Sequence, residues 1–130
     1  MPRTALSLPL LLATLATPLA ARPASLDATL AGRTAGAPRS CLPAFLGDRG
    51  SQSFPGALLY GGSSSTIYLN RLPNCTALTP DRVVVIRSYG SGPCRGDIVE
   101  VRERFTPVPV GSCALGDFIP YSKPRHRAAQ

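Results

Sequence analysis

Four cysteines, Cys41, Cys75, Cys94 and Cys113, constrain this chain more than any other feature. They are separated by 34, 19 and 19 positions. No two lie close enough for the paired knuckles of structural zinc or the two-residue spacing of a thiol oxidoreductase. An even number of widely spaced cysteines in a small chain reads as two disulfides, and four cysteines allow three pairings. Disulfides persist in oxidising compartments, so this reading requires an export route.

The amino terminus offers one. Arg3 supplies positive charge, residues 5–15 form an apolar run interrupted only by Ser7, Pro9 and Thr14, and Ala20-Ala21 follows Pro18 as a small-residue exit. Charge, apolar run and small-residue exit in that order define a secretory signal, here residues 1–21. A retained membrane anchor would need about 20 apolar residues, more than this run provides. A lipoprotein exit would place a cysteine here, and the first is Cys41. No later stretch is long and apolar enough to span a membrane, so no transmembrane segment is expected after cleavage.

Residues 22–40 read as a flexible leader in which only Leu26 and Leu30 share a helical spacing. Residues 123–130 read as a disordered basic tail carrying the single histidine, His126. Between them, residues 41–122 hold every cysteine and nearly all the β-prone runs. A domain of about 80 residues is near the size at which one core benefits from covalent help. With 12 glycines and 14 prolines, the composition favours turns and short strands over long helices.

The strands are readable from local pattern. Residues 57–60 and 66–69 flank Gly61-Gly62-Ser63-Ser64-Ser65 and predict a hairpin. Residues 82–87 hold a continuous Val-Val-Val-Ile run between two arginines, which predicts a strand buried on both faces or placed centrally in the sheet. In residues 98–103, Val99 and Val101 fall on one face and Glu100 and Arg102 on the other, predicting a half-exposed strand. A last short strand lies in 115–121, stopped by Pro120, and a further candidate lies near Cys41. The expected fold is all-β: a small antiparallel sheet or partly closed barrel, stapled by disulfides.

If the strands at 66–69, 82–87 and 98–103 form a meander, the cysteines sort by end. A six-residue strand is about 20 Å long, whereas bridged Cα atoms lie about 4.4–6.8 Å apart. Cys75 and Cys113 fall in connections at the same end and Cys94 at the other. The meander therefore selects Cys75–Cys113 and leaves Cys41–Cys94.

The pattern Tyr68-Leu69-Asn70, Leu72, Cys75, then Cys94, Asp97, Ile98, Val99, then Gly111, Cys113, Leu115, Gly116, Phe118, Pro120 resembles a family. Its members are small secreted four-cysteine proteobacterial proteins known only as a domain of unknown function. The resemblance covers residues 41–121. It implies a periplasmic or secreted β-rich domain and carries no activity and no catalytic residue. Pro55-Gly56 stands where paired acidic residues are frequent in that family, and the 61–65 turn is richer in serine.

Little in the sequence converges on catalysis. A hydrolase triad needs a base, and His126 lies in the tail. Asp97, Glu100, Glu103 and Asp117 supply carboxylates, but Glu100 and Glu103 point to opposite faces of one strand, and charges balancing arginine are the simpler reading. Asp97 is expected to cap its own turn. Arg95-Gly96-Asp97 spells an adhesion tripeptide and Asn74-Cys75-Thr76 a glycosylation acceptor, both short enough to recur by chance. No cofactor and no metal site is expected.

The charge is the one positive hint. Fourteen basic residues, 13 of them arginine, stand against seven acidic ones, a net +7. Arg71, Arg82, Arg87, Arg95, Arg102 and Arg104 are the candidate anion-binding set. Export and the lack of an aromatic stacking set argue against nucleic acid. Anionic envelope components or an acidic protein are the expected partners, with a merely solubilising positive surface as the alternative. The function expected is that of an exported, non-enzymatic accessory or binding module. A small envelope enzyme or enzyme inhibitor, with an unrecognised acidic or loop site, is the alternative.

Overall fold

The computed structural model describes residues 20–22 and 24–125. The expected signal at 1–21 falls almost wholly outside the described residues, as does His126 with the rest of 126–130.

The elements in chain order are α1 (Leu26–Leu30), β1 (Thr34–Ala35), α2 (Ala44–Gly47), β2 (Ser51–Phe54), β3 (Ala57–Tyr60), β4 (Thr66–Arg71), β5 (Val83–Arg87), β6 (Ile98–Arg102), β7 (Pro109–Ala114) and β8 (Phe118–Ser122). They build two antiparallel sheets, one of five strands in the order β1-β8-β4-β3-β2 and one of three in the order β5-β6-β7. The fold is thus mainly β and antiparallel, with two open sheets in place of a barrel.

The expected hairpin is β3–β4, with Leu59 opposite Leu69 and Tyr60 opposite Tyr68. A second hairpin, β2–β3, precedes it. Its turn is Pro55-Gly56: proline fixes one φ, and Gly56 takes a φ of 68°, a left-handed value that a side chain would oppose. With β2 on one side and β4 on the other, β3 is the central strand, and all four of its residues are buried.

Alternation along these strands makes two apolar layers. Leu58, Tyr60 and Phe118 face the second sheet and meet Val99 and Val101 there, while Val84 and Ile86 pack at the margin. On the opposite face of the first sheet, Phe54, Leu59, Ile67 and Leu69 form a second cluster, covered by Leu26, Leu30 and Tyr121.

Several expectations are corrected. The run 82–87 is not central, because β5 is an edge strand. Only Val84 and Ile86 pack inward, and Val83 remains 40% exposed. A continuous apolar run leaves the second face undetermined, and here that face meets solvent. The leader at 22–40 is docked from residue 26 onward. Ser25 caps α1 by accepting the Ala28 N–H, Leu26 and Leu30 cover the second cluster, and β1 pairs with β8. Arg33 secures it further by donating to the Ser64 and Ser65 carbonyls at 3.0 and 2.9 Å. Pro120 lies within β8 and does not end it. Its carbonyl accepts the Gly36 N–H on the β1 side. A residue's N–H and carbonyl point the same way across a strand, so proline costs no bond to β4.

The disulfides are Cys41–Cys94 and Cys75–Cys113. These are the pairs selected by the meander, but the meander itself is absent, since β4 and β5 belong to different sheets. Cys113 lies within β7, a strand missed in the sequence, and faces the inter-sheet layer opposite Val99. Cys75 reaches it from the β4–β5 connection. Cys41 and Cys94 form an isolated bridge flanked by bonds from Leu42 to Pro93 and from Arg95 to Ser40, at 2.8 and 2.6 Å.

Candidate functional site

Between the sheets, at the β2–β5 margin, the core gives way to a groove of about 890 Å³. Its origin is visible in the sequence. On β3 the inward residues are Leu58 and Tyr60; directly opposite them on β2 stand Ser53 and Ser51. Serine cannot fill the space that an aliphatic side chain would occupy in a sandwich, so the layers stay apart there. The facing wall is β5, whose alternate residues Val84 and Ile86 line it, with Arg82 and Ser88 at either end. One end is shut where α2 meets the 88–93 segment. A Cβ at Gly47 would lie 2.7 Å from the Pro93 Cδ, so only glycine permits this approach. The Cys41–Cys94 bridge fastens the same end.

Tyr60 lines the groove from β3. It is 1% exposed, and its ring meets Phe118 edge-on at 5.8 Å. Its hydroxyl has no hydrogen-bond partner among the described residues. Burial pushes the phenol well above the ordinary tyrosine range. The Ser51 side chain opposite acts the other way, although the two do not meet in hydrogen-bond geometry. The group is therefore a neutral hydroxyl, able to donate and to accept. An unsatisfied buried polar group costs about 1–3 kcal/mol.

The groove is close to electrically neutral. Among the described residues, its only charged lining side chains are Asp48 and Arg82. Arg82 is occupied, donating from Nε to the Glu103 carboxylate at 3.1 Å and from a terminal nitrogen to the Ala77 carbonyl at 2.7 Å.

Four of the six candidate anion-binding arginines, Arg82, Arg87, Arg102 and Arg104, gather along the second sheet. Arg95 lies on the β5–β6 connection, and Arg71 ends β4. Five of the six are engaged. Arg87 and Arg102 both hold Glu100, Arg82 holds Glu103, and Arg95 pairs with Asp117 at 3.2 Å. Arg104 donates to the Asp81 carbonyl at 3.4 Å. Glu100 lies under its two arginines and is only 8% exposed, so this face of β6 is more covered than alternation alone predicts. Arg102 and then Arg87 hold its carboxyl below the usual carboxylate range, against the opposing effect of burial.

The four candidate carboxylates are dispersed, and none lines the groove. Asp97 accepts the Cys94 N–H at 2.8 Å, as a turn cap does. The Arg95-Gly96-Asp97 tripeptide thus has both charged ends engaged. No group of three or more metal-ligating side chains occurs among the described residues, and no described helix is long and apolar enough to cross a membrane.

The groove was not foreseen because β2, Ser-Gln-Ser-Phe, lacks an apolar rhythm. The signal that could have found it is Pro55-Gly56, a two-residue turn with short strand-length runs on both sides. Comparison with protein-family models, with curated proteins and with solved structures found no match.

Proposed function

We propose that this chain is an exported, non-enzymatic binding module of the bacterial periplasm, and that its ligand enters the groove between β2 and β5. The observation that carries the reading is the Tyr60 hydroxyl, buried without a partner on the wall of an 890 Å³ space. Ligand sites typically enclose about 300–1,000 Å³ and combine apolar walls with a few placed polar groups. Val84 and Ile86 supply the former; Ser51, Ser53 and Tyr60 supply the latter.

Two disulfides support the exported compartment. The periplasm, in particular, rests on the amino-terminal signal and on the resemblance drawn from the cysteine pattern. An anionic envelope component or an acidic protein would meet mostly arginines already paired, which is why the groove carries the proposal. An enzyme or inhibitor with an acidic site is less well supported, because the four carboxylates are separated and held.

The test is protein-observed NMR with a library of small polar compounds. A binding module concentrates amide shifts on β2 and on residues 88–92. Shifts scattered over the arginine-bearing surface, or none in the groove, would overturn the reading.

A further inference from the structure

The geometry points to a neutral saccharide chain as the occupant of this groove, an inference that rests on the binding reading above. The lining sets the terms. Its two charges, Asp48 and Arg82, cancel, and Arg82 is already spent on Glu103. An anion would find no free cation among the groove's lining side chains, and a cation would find only Asp48. What remains is hydroxyl chemistry on one wall, from Ser51, Ser53 and Tyr60, facing the aliphatic surface of Val84 and Ile86 on the other. A pyranose ring has this division, with hydroxyl groups around its edge and C–H bonds on its faces.

Two exposed aromatic residues next in sequence to groove residues add a second observation. Tyr89 stands between Ser88 and Gly90, both groove residues, and is 89% exposed. Phe45 follows Ala44, another groove residue, on α2 and is 62% exposed. Neither ring lines the groove itself; both are exposed and free to stack on the C–H faces of sugar units that continue past it. The Tyr60 hydroxyl has almost no solvent-accessible surface, so it serves a sugar hydroxyl only after its neighbours in the groove wall shift. An extended peptide is the competing occupant. It would pair along the free edge of β2, where Ser51, Gln52 and Ser53 line the groove, and the titration separates the two occupants.

The experiment is a calorimetric and NMR titration of the full mature chain with three probes: tetra-N-acetylchitotetraose, cellotetraose and a blocked tetra-alanine peptide. The inference expects at least one saccharide to bind, with shifts at Ser51, Ser53 and residues 88–92, and an affinity that changes less than about twofold between 50 and 500 mM salt, as for an uncharged ligand. Tyr89→Ala and Tyr60→Phe should each weaken it about tenfold, with the fold preserved by circular dichroism. Binding by the acetylated chain alone would assign an amino-sugar polymer as the source; binding by cellotetraose as well would assign a glucan-like polymer. If only the peptide binds in the groove, the saccharide inference fails and the binding reading stands. If no probe binds there, or if binding collapses with salt, the inference is overturned, and the compound library then decides the binding reading separately.

Discussion

Asn70 and Gly116 hold each other by two reciprocal hydrogen bonds: the Asn70 amide donates to the Gly116 carbonyl at 2.8 Å and accepts the Gly116 N–H at 2.9 Å. Asn70 lies on β4 and is fully buried, and Gly116 lies in the link that carries the chain from β7 in one sheet to β8 in the other. One side chain thus satisfies both backbone groups of the crossing residue. Replacing it with alanine strands those groups in a half-buried place, at up to about 1–3 kcal/mol for each unsatisfied group. Asn70→Ala is expected to lower the urea midpoint by a corresponding amount. An unchanged midpoint would show that this pair does not hold the crossing.

Glu100 makes stability depend on acid. Its folded-state pKa lies below its ordinary value of 4.5 because Arg102 and Arg87 favour the charged form. The stabilisation is therefore present above that ordinary value and is lost as pH falls through the lower folded-state value. Glu100→Gln should be less stable than the parent at pH 7, and the two should converge as the medium is acidified below 4.5. Urea unfolding of both proteins across the acid range measures this; parallel curves would contradict it.

The two disulfides should differ in their consequences. Each is expected to contribute about 2–4 kcal/mol, much of it by restricting the unfolded chain. Replacing Cys75 and Cys113 with alanine removes a bridge whose Cys75 end is buried in the main cluster and should mainly lower stability. Replacing Cys41 and Cys94 should in addition loosen α2 against the 88–93 segment, visible as faster amide exchange there. Uniform exchange in both variants would deny the second bridge its role in closing the groove.

Gly47 gives an independent handle on that closure. Its Cβ would meet the rigid Pro93 ring at 2.7 Å, and overpacking of this kind costs about 1–3 kcal/mol. Gly47→Ala should lower the melting temperature and move the amide signals of Gly90 and Gly92. A melting temperature equal to that of the parent would show that the end is not shut by this contact.

Much of the β framework is legible in the sequence. The β3–β4 hairpin is announced by its glycine-serine turn, and β6 by the alternation of Val99 and Val101 with Glu100 and Arg102. The strands that were not legible carry weak patterns for physical reasons. In β2, two serines occupy inward positions, and in β7, Pro109 and Gly111 obscure the propensity around Val110. The assignment of β5 to a sheet edge could not be read, since four consecutive aliphatic residues look alike whichever face is covered. The disulfide pairs illustrate a correct selection on an incorrect premise: the cysteines meet because two sheets face each other, not because one sheet meanders. The groove depends on what Ser51 and Ser53 fail to fill, and a vacancy between sheets has no local sequence signature. Charge was the visible hint, yet it led to arginines that the fold pairs with Glu100, Glu103 and Asp117.

The proposed role of the Tyr60 hydroxyl is to be held for a ligand, with no structural bond of its own in the free protein. Urea unfolding of Tyr60→Phe against the parent, without added ligand, measures that directly. Removing a buried hydroxyl that has no partner should leave the phenylalanine variant as stable or more stable, by up to about 1–3 kcal/mol. A variant less stable by a similar amount would mean that the hydroxyl already makes a structural bond, and the groove would lose the observation on which its assignment as a binding site rests.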